Sequence, residues 1–294
     1  MAAADPEAPR AAFQVSQRLR LHYADWGNAT APPLILVHGG RDHCRSWDAV
    51  AQALRADWHV LAPDLRGHGD SEWAAGGSYN ELNYVYDIVQ LVHQKRMAPV
   101  TILAHSLGGS IALLYAGVYP ETIAKVVAIE GLGPSPDMVE RMRQVPAEQQ
   151  VRRRFEMRRE SAGRMPRKYP TLEDALTRMK SENTHLNDEQ ARHLTLHGAI
   201  QNEDGTYSWK FDNAVRMGGP GGLTIEDQHR IWSCITAPVL LVRGAESWAS
   251  DPSVDGRIGH FKDARLVNIE KAGHWSHHDQ LDVFMDHVNA FLAG

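Results

Sequence analysis

Residues 100–109 have the sequence V-T-I-L-A-H-S-L-G-G, which predicts a buried strand that turns sharply into a helix. Its first four residues are apolar or β-branched, as in a buried parallel strand, and residues 110–116 favour a buried helix. Only a tight turn fits between them. Ala104 and Gly108 lie two residues on either side of Ser106, and a strand-to-helix turn needs small residues there because backbone meets backbone. Such a turn places the Ser106 hydroxyl at a helix N-terminus, where free N–H groups favour developing negative charge.

The five-residue pattern around Ser106 also fits a plain turn that happens to contain a serine, and other motifs narrow the choice. Residues 34–37 predict a second buried strand, followed by H-G-G at 38–40, a loop that can present a backbone N–H to an oxyanion. The motifs D-L-R-G-H-G-D-S at 64–71 and A-G-H-W at 272–275 follow along the chain. In this order and spacing the motifs resemble those of the α/β-hydrolase fold superfamily over nearly the whole chain.

The 294 residues, 43% of them hydrophobic, can bury one large core with an insertion. Residues 13–26 predict two antiparallel edge strands. The remaining strands alternate with helices, which predicts a doubly wound, mostly parallel sheet with ligands at the strand C-termini. Parallel strands are predicted near residues 33–38, 58–63, 99–104, 124–130, 238–243 and 264–269. Core helices are predicted near residues 46–55, 80–94, 107–118 and 279–292.

Residues 134–223 form a predicted helical cap between core segments 1–133 and 224–294. Strands vanish from the pattern there, and charged helical stretches follow, with capping side chains at 171–174 and 187–190. The many arginines between 141 and 168 could bind an anionic substrate, but such a run more often forms a solvated helix surface. The glycine-rich residues 218–222 predict a return to the core without regular structure. The resemblance implies that this insertion covers the active site and sets substrate preference.

Charge and composition exclude several classes of partner. A net charge of −5 and an isoelectric point near 6.3 argue against nucleic-acid binding, which needs a basic face. The first ten residues lack the features of a signal or transit peptide, and no apolar run approaches the roughly 20 residues of a membrane span. A cytoplasmic location is therefore the default expectation. We interpret Cys44 and Cys234 as packing residues, and the sequence predicts no oligomeric state.

Acyl transfer needs a nucleophile, a base and an acid that orients the base. Ser106 is the predicted nucleophile. His274 is the predicted base, because it lies in a loop between a strand and the last helix, where the resemblance places that histidine. His277 and His278 compete for this role, and we expect His277 to form part of the pocket wall or to support the site residues from behind. The other histidines show no metal-ligand spacing, so the sequence predicts no metal and no cofactor.

The orienting acid is harder to predict. Most members of the superfamily carry an aspartate just after the strand near 238–243, but this chain continues with A-E-S-W. A minority arrangement supplies the acid from the end of the preceding parallel strand, and Glu130 lies there, 24 residues after Ser106. A buried glutamate needs a partner such as an imidazolium, which favours Glu130. Glu246 and Asp251 are the alternatives, and Glu130 could instead pair with an arginine of the cap.

These residues predict a serine hydrolase that cleaves a small-molecule ester or lactone through an acyl-enzyme. The backbone N–H groups of Gly40 and Leu107 are the expected oxyanion donors. Haloalkane dehalogenases and epoxide hydrolases of the superfamily carry an aspartate at the nucleophile position. A carbon–carbon bond hydrolase of dienone-type ring-fission products is the enzymatic alternative, and a non-catalytic ligand receptor is the alternative from another class. The expected substrate-binding residues are Arg41, Asp42, Trp209, Trp248, Trp275 and His277.

Overall fold

A computed structural model of the chain describes residues 8–162, 166–217 and 222–294. Eight strands form one sheet in the order β1-β2-β4-β3-β5-β6-β9-β10. The pairs β1–β2 and β2–β4 are antiparallel, and the other neighbours are parallel. The predicted doubly wound, mostly parallel sheet is therefore confirmed. Its strands are β1 (Arg10–Ser16), β2 (Leu19–Asp25), β3 (Pro33–Val37), β4 (His59–Pro63), β5 (Val100–His105), β6 (Ile123–Ile129), β9 (Val239–Gly244) and β10 (Ala264–Ile269).

The prediction of two edge strands in residues 13–26 needs a correction, because of the two strands formed there, β1 and β2, the first alone lies at an edge of the sheet. β2 lies between β1 and β4 and pairs with both. Its residues 21–24 are buried, as the position inside the sheet requires.

Helices cover both faces of the sheet and bury its apolar side chains in two clusters. α10 illustrates the cause: Phe284 and Val288 lie four residues apart on its inner face and are fully buried. The helices predicted near 80–94 and 107–118 are confirmed as α2 and α3. The helices are α1 (Asp48–Leu54), α2 (Glu81–Lys95), α3 (Leu107–Val118), α4 (Pro136–Arg143), α5 (Ala147–Ala162), α6 (Leu172–Glu182), α7 (Asp188–Gly198), α8 (Ile225–Trp232), α9 (Ser276–Asp279) and α10 (Leu281–Ala293).

The segment between β6 and β9 contains the helices α4 to α8. The predicted helix starts are confirmed, because Thr171 and Asn187 each form a capping box with the residue three positions later. The expected absence of strands is wrong: β7 (Ala199–Gln201) and β8 (Tyr207–Trp209) form a hairpin. The turn between them contains Asp204 and Gly205, and Gly205 has the positive φ of 82° that such a turn favours.

The boundaries of the predicted cap, at residues 134 and 223, stay a prediction. Residues 218–221 of the predicted glycine-rich return lie outside the described residues. The interpretation of both cysteines as packing residues holds for Cys44, which is buried. It is wrong for Cys234, which follows the end of α8 and is exposed. Among the described residues, no helix is both long enough and apolar enough to cross a membrane.

Candidate active site

Ser106 occupies a strained turn between β5 and α3. Its φ of 52° and ψ of −115° lie outside the regions that L-residues ordinarily adopt. The turn is held by its own backbone, because Ser106 N–H donates to the Ile129 carbonyl at 2.8 Å. A Cβ added to Gly108 would lie 2.4 Å from the Val37 carbonyl oxygen, so α3 approaches β3 too closely for any larger residue. These contacts fix the serine at the C-terminal edge of the sheet.

His274 lies in the loop between β10 and α9, and two contacts fix it. Its Nδ1 lies 2.5 Å from Glu130 Oε2. Its backbone carbonyl accepts a hydrogen bond from Nε2 of His105 at 2.9 Å. Because the carboxylate holds Nδ1, the other ring nitrogen, Nε2, is the one left to act on a substrate.

Glu130 follows β6, and its side chain is fully buried. Its carboxylate accepts two hydrogen bonds besides the contact with His274: Gly244 N–H donates to Oε1 at 3.0 Å, and the Ser247 hydroxyl donates to Oε2 at 2.6 Å. These donors offset the cost of removing a carboxylate from water. The burial and the partners together are those of a carboxylate held in one orientation beside the imidazole.

The alternative acids contact other residues. Glu246 Oε2 lies 3.9 Å from His185 Nε2, and 55% of the glutamate side chain is exposed. The Asp251 carboxylate accepts hydrogen bonds from Ser253 and from Asn268, and the Ser253 hydroxyl lowers the pKa of Asp251 more than burial raises it. In the described part of the chain, neither carboxylate forms a hydrogen bond or an ion pair with His274, whose Nδ1 pairs with Glu130.

The two predicted oxyanion donors lie next to each other. A Cβ added to Gly40 would lie 3.9 Å from Leu107 Cδ2, so the loop after β3 approaches the start of α3. Leu107 is the first residue of α3, where the backbone N–H has no partner in the helix. Neither amide donates a hydrogen bond to a residue in the described part of the chain. Both are therefore available to a ligand.

A cavity of about 480 Å³, here called the serine cavity, brings these groups together. Its wall includes Ser106, His274, Gly40 and Leu107. Within the described ranges the Ser106 hydroxyl forms no hydrogen bond with His274. Catalytic hydrogen bonds are often long in substrate-free enzymes and tighten when substrate binds.

Four of the six predicted substrate-binding residues line cavities. Trp248 lies in the wall of the serine cavity, with its ring 5.0 Å from that of His274. Arg41 and Trp275 line both this cavity and an adjoining cavity of about 550 Å³, whose wall also contains Trp209. The indole of Trp209 donates to the Tyr169 hydroxyl at 3.1 Å, which fixes its orientation.

The other two, Asp42 and His277, lie behind the cavity walls, and their assignment as substrate-binding residues is corrected. Asp42 is buried, its carboxylate accepts the His43 N–H at 2.8 Å, and burial raises its pKa. His277 is buried and stacks on Trp47 with ring centroids 4.6 Å apart, and burial lowers its pKa well below the usual value. Both residues are adjacent in sequence to the site but point into the protein.

Two residues that contact this site were missed from the sequence. His105 holds the backbone of His274, and its position next to Ser106 was the available signal. Burial, followed by the neighbouring His274, lowers the pKa of His105 well below the usual value, so the ring is neutral. Ser247 donates to Glu130, but a serine in a loop carries no sequence signal for such a contact.

The structure also brings together two trios of possible metal ligands, which the sequence spacing did not indicate: His22, Cys44 and Asp64, and Asp48, His193 and His197. In the first, Asp64 accepts hydrogen bonds from the His22 ring and from the Cys44 N–H. In the second, the Arg45 guanidinium pairs with Asp48 at 2.6 Å. Each carboxylate already has partners within the protein.

Residues 32–281 match the family described as the alpha/beta hydrolase fold. Esterase Rv0045c of Mycobacterium tuberculosis is 26% identical over 276 residues, which cover 91% of this chain and 84% of that protein. The mouse (Mus musculus) sn-1-specific diacylglycerol lipase ABHD11 is 26% identical over 91% of this chain and 83% of its own length.

Among solved structures, a thioesterase domain from the curacin biosynthetic pathway superposes with a TM-score of 0.82. The alignment covers 96% of this chain and 99% of that domain, at 22% identity. At this identity the similarity establishes a shared fold.

Proposed function

The chain belongs to the α/β-hydrolase fold family, and from that premise we propose that it is a serine hydrolase that cleaves a carboxylic ester or lactone through an acyl-enzyme on Ser106. The relatives named esterase and lipase support a hydrolase acting on acyl substrates. The observation that carries the proposal is the 2.5 Å contact between His274 Nδ1 and the buried Glu130, beside the strained turn of Ser106. The nucleophile and the base thus line the serine cavity, and the proposed orienting acid holds the base from behind.

Acylation begins when His274 Nε2 removes the Ser106 proton and Oγ attacks the substrate carbonyl. Glu130 keeps the proton on Nδ1, so that Nε2 is the basic nitrogen, and stabilises the imidazolium that forms. The N–H groups of Gly40 and Leu107 donate to the oxyanion, and such a donor commonly contributes about 3 kcal/mol to transition-state stabilisation. The imidazolium then protonates the leaving alkoxide as the bond from the carbonyl carbon to the leaving oxygen breaks.

Deacylation repeats these steps with water in place of the serine. His274 removes a proton from water, the hydroxyl attacks the acyl carbon, and the Ser106–acyl bond breaks as Oγ recovers the proton. Each step uses groups of this chain alone. His105 contributes indirectly, since its hydrogen bond to the His274 carbonyl fixes the loop that carries the base.

Residues 134–223 act as the cap in this proposal. They supply Glu182, Asn183 and Leu186 to the wall of the serine cavity, and the core supplies the serine and the histidine. The insertion therefore helps to determine which substrates fit the cavity, and the core supplies the catalytic groups.

A hydrolysis screen of short 4-nitrophenyl esters, a lactone and a dienone tests the proposal. We expect ester or lactone turnover to fall by at least about 1,000-fold in Ser106→Ala and in His274→Ala, because each removes a group that acts on the reacting atoms. Ser233→Ala, at an exposed serine after α8, is the matched control and keeps the parent rate. Mass spectrometry of the trapped protein should show the acyl adduct on Ser106.

The screen also separates the alternatives. Undiminished ester hydrolysis by Ser106→Ala contradicts the serine mechanism. Dienone cleavage without ester or lactone turnover selects the carbon–carbon bond hydrolase. Saturable binding without turnover of any compound selects the ligand receptor.

A further inference from the structure

The adjoining cavity is unusual in its charge. Four guanidinium groups line it, from Arg41, Arg167, Arg178 and Arg216, against one carboxylate among the described residues of its wall, that of Glu182. The whole chain carries a net charge of −5, so this concentration of positive charge runs against the composition. A concave wall of one sign concentrates ligands of the opposite sign.

The four arginines come from four separate parts of the chain. Arg41 follows the loop after β3, Arg167 precedes α6, Arg178 lies on α6, and Arg216 lies on the 3-10 turn Asn213–Met217. The arginines of α5 form a contrast: Arg152 is 81% exposed and contacts Glu156 one turn away on the same helix. That arrangement is an ordinary solvated helix face. Convergence from four segments on one cavity is not explained by the surface of any one helix.

Among the described residues, an ion pair neutralises one of these four arginines. Arg178 forms an ion pair with Glu182. Arg41, Arg167 and Arg216 pair with no carboxylate in the described part of the chain. Burial lowers the pKa of Arg41, and the nearby Arg216 lowers it further, while Glu182 has the opposite effect. Two guanidinium groups therefore repel each other at the wall, and an anion between them would relieve the repulsion.

Aromatic rings support two of the guanidinium groups. Arg167 lies over the Tyr169 ring at 5.2 Å, and Arg216 lies over the Phe211 ring at 6.0 Å. Stacking of this kind orients the planar fork and leaves its N–H groups free for a carboxylate or phosphate.

The two cavities share part of their walls, including Gly40, Arg41 and Trp275. A single ligand can therefore extend from Ser106 into the adjoining cavity. Gly40 stands at this junction, and it is also the proposed oxyanion donor.

We infer that the adjoining cavity binds an oxyanion carried by the substrate, so that the enzyme prefers esters with a carboxylate, phosphate or sulfate remote from the scissile carbonyl. This inference rests on the proposed function for the position of the scissile bond. Guanidinium groups bind such oxyanions through paired, charge-assisted hydrogen bonds.

Two substrate series test the inference. The first contains 4-nitrophenyl monoesters of straight-chain dicarboxylic acids of increasing length, which place the anion on the acyl side. The second contains acetyl esters of ω-hydroxycarboxylic acids, which place it on the alcohol side. Each compound is paired with its neutral methyl-ester counterpart, and kcat/KM is measured at low and high salt. We expect the anionic member to be preferred by about tenfold or more at one chain length, with the preference falling at high salt.

Arginine variants locate the effect. Arg216→Gln and Arg167→Gln should each lower the anionic-to-neutral ratio of kcat/KM by about tenfold at that length, because each removes one charge-assisted contact. Arg216→Lys keeps the charge and should recover part of the ratio. Arg152→Gln makes the same charge change on the solvated face and should alter neither the ratio nor the basal rate. Competition by inorganic phosphate and sulfate ranks the oxyanions.

The outcomes separate this inference from the proposed function. The inference is overturned if neutral esters are hydrolysed as fast as anionic ones at every chain length and if the anionic-to-neutral ratio of kcat/KM is unchanged in Arg216→Gln. That result leaves the serine mechanism intact. If no ester is hydrolysed, calorimetric titration of the parent with a dicarboxylic acid monoamide decides the matter. Binding that weakens about tenfold in Arg216→Gln supports the anion site, and equal affinity in the two proteins overturns it.

Discussion

The ends of two neighbouring strands, β6 and β9, each carry a glutamate, and the two glutamates differ in burial and in hydrogen bonding. The strands pair in parallel, with Ile129 opposite Val242, so both end at the same edge of the sheet. Glu130 follows β6 and is fully buried, with two donors and the imidazole around it. Glu246 follows β9 and is 55% exposed beside His185. Only the first end holds an acid in a fixed orientation.

In the proposed mechanism, the orienting acid therefore need not come from one particular strand. The carboxyl ends of parallel strands meet at one edge, and an imidazole there is within reach of either neighbour. In the proposed mechanism, burial and the donors to the carboxylate favour Glu130 over Glu246. The end of β9 supplies two hydrogen-bond donors to the Glu130 carboxylate, from Gly244 and Ser247, and no carboxylate of its own to His274.

Among the variants at these two strand ends, we expect Glu130→Gln, at the end of β6, to lower kcat the most. The amide is nearly isosteric but cannot hold Nδ1 in the protonated state, so kcat should fall by about 1,000-fold or more. Steady-state hydrolysis of the best ester from the screen measures the loss, and circular dichroism checks the fold.

The matched controls are on the β9 side. Glu246→Gln and Asp251→Asn remove carboxylates from solvated positions and should change kcat by less than about threefold. If either variant is the crippled one, the acid comes from the loop after β9 and Glu130 has a structural role.

A carboxylate placed after β9 instead of after β6 tests whether the β9 side can also orient the imidazole. The Ser247 hydroxyl lies 2.6 Å from Glu130 Oε2, so a side chain at 247 reaches the place that the acid occupies. In the Glu130→Ala background, Ser247→Asp should recover about 10-fold to 100-fold of the lost kcat, since it restores a negative charge near His274. Ser247→Asn in the same background is the uncharged control. Equal rates for the two double variants would mean that orientation from β9 is impossible in this chain.

The sequence predicted what depends on local pattern. The turn at Ser106, α3 and the parallel strands follow from short-range periodicity and small residues, and the structure contains them. Side-chain direction was harder to predict. His277 was expected among the substrate-binding residues but packs on Trp47, because its burial depends on a residue distant in sequence.

The arginine-lined cavity could not be predicted for a similar reason. The sequence drew attention to the run of arginines centred on 152–154, which lies on an exposed helix face. The arginines that converge are scattered between residues 41 and 216, and only the folded chain brings them to one wall.

The comparison extends to His274 in the loop before α9 and His277 on α9, and we expect His277→Phe to change activity the least. His274 contacts a carboxylate, whereas both ring nitrogens of His277 are buried without a hydrogen-bond partner among the described residues. A phenyl ring can keep the stacking on Trp47 and removes two unpaired polar atoms, so kcat should stay within about threefold and stability at pH 7 should not fall. A loss as large as that of His274→Ala would mean that the base has been assigned to the wrong histidine.

The same variant changes how stability depends on pH. Burial lowers the pKa of His277 in the folded state, so below about pH 6.5 the unfolded chain binds a proton that the folded chain does not, and stability falls as the pH falls. Without this histidine, urea unfolding between pH 6.5 and 5.5 should show about 1 kcal/mol less loss of stability. Part of the slope should remain, since burial also lowers the pKa of His38 to about 3 and that of His68 to about 4. His287→Phe, at an exposed position of α10, should keep the parent slope, and an unchanged slope in His277→Phe would show that His277 takes up its proton in the folded state as readily as in the unfolded chain.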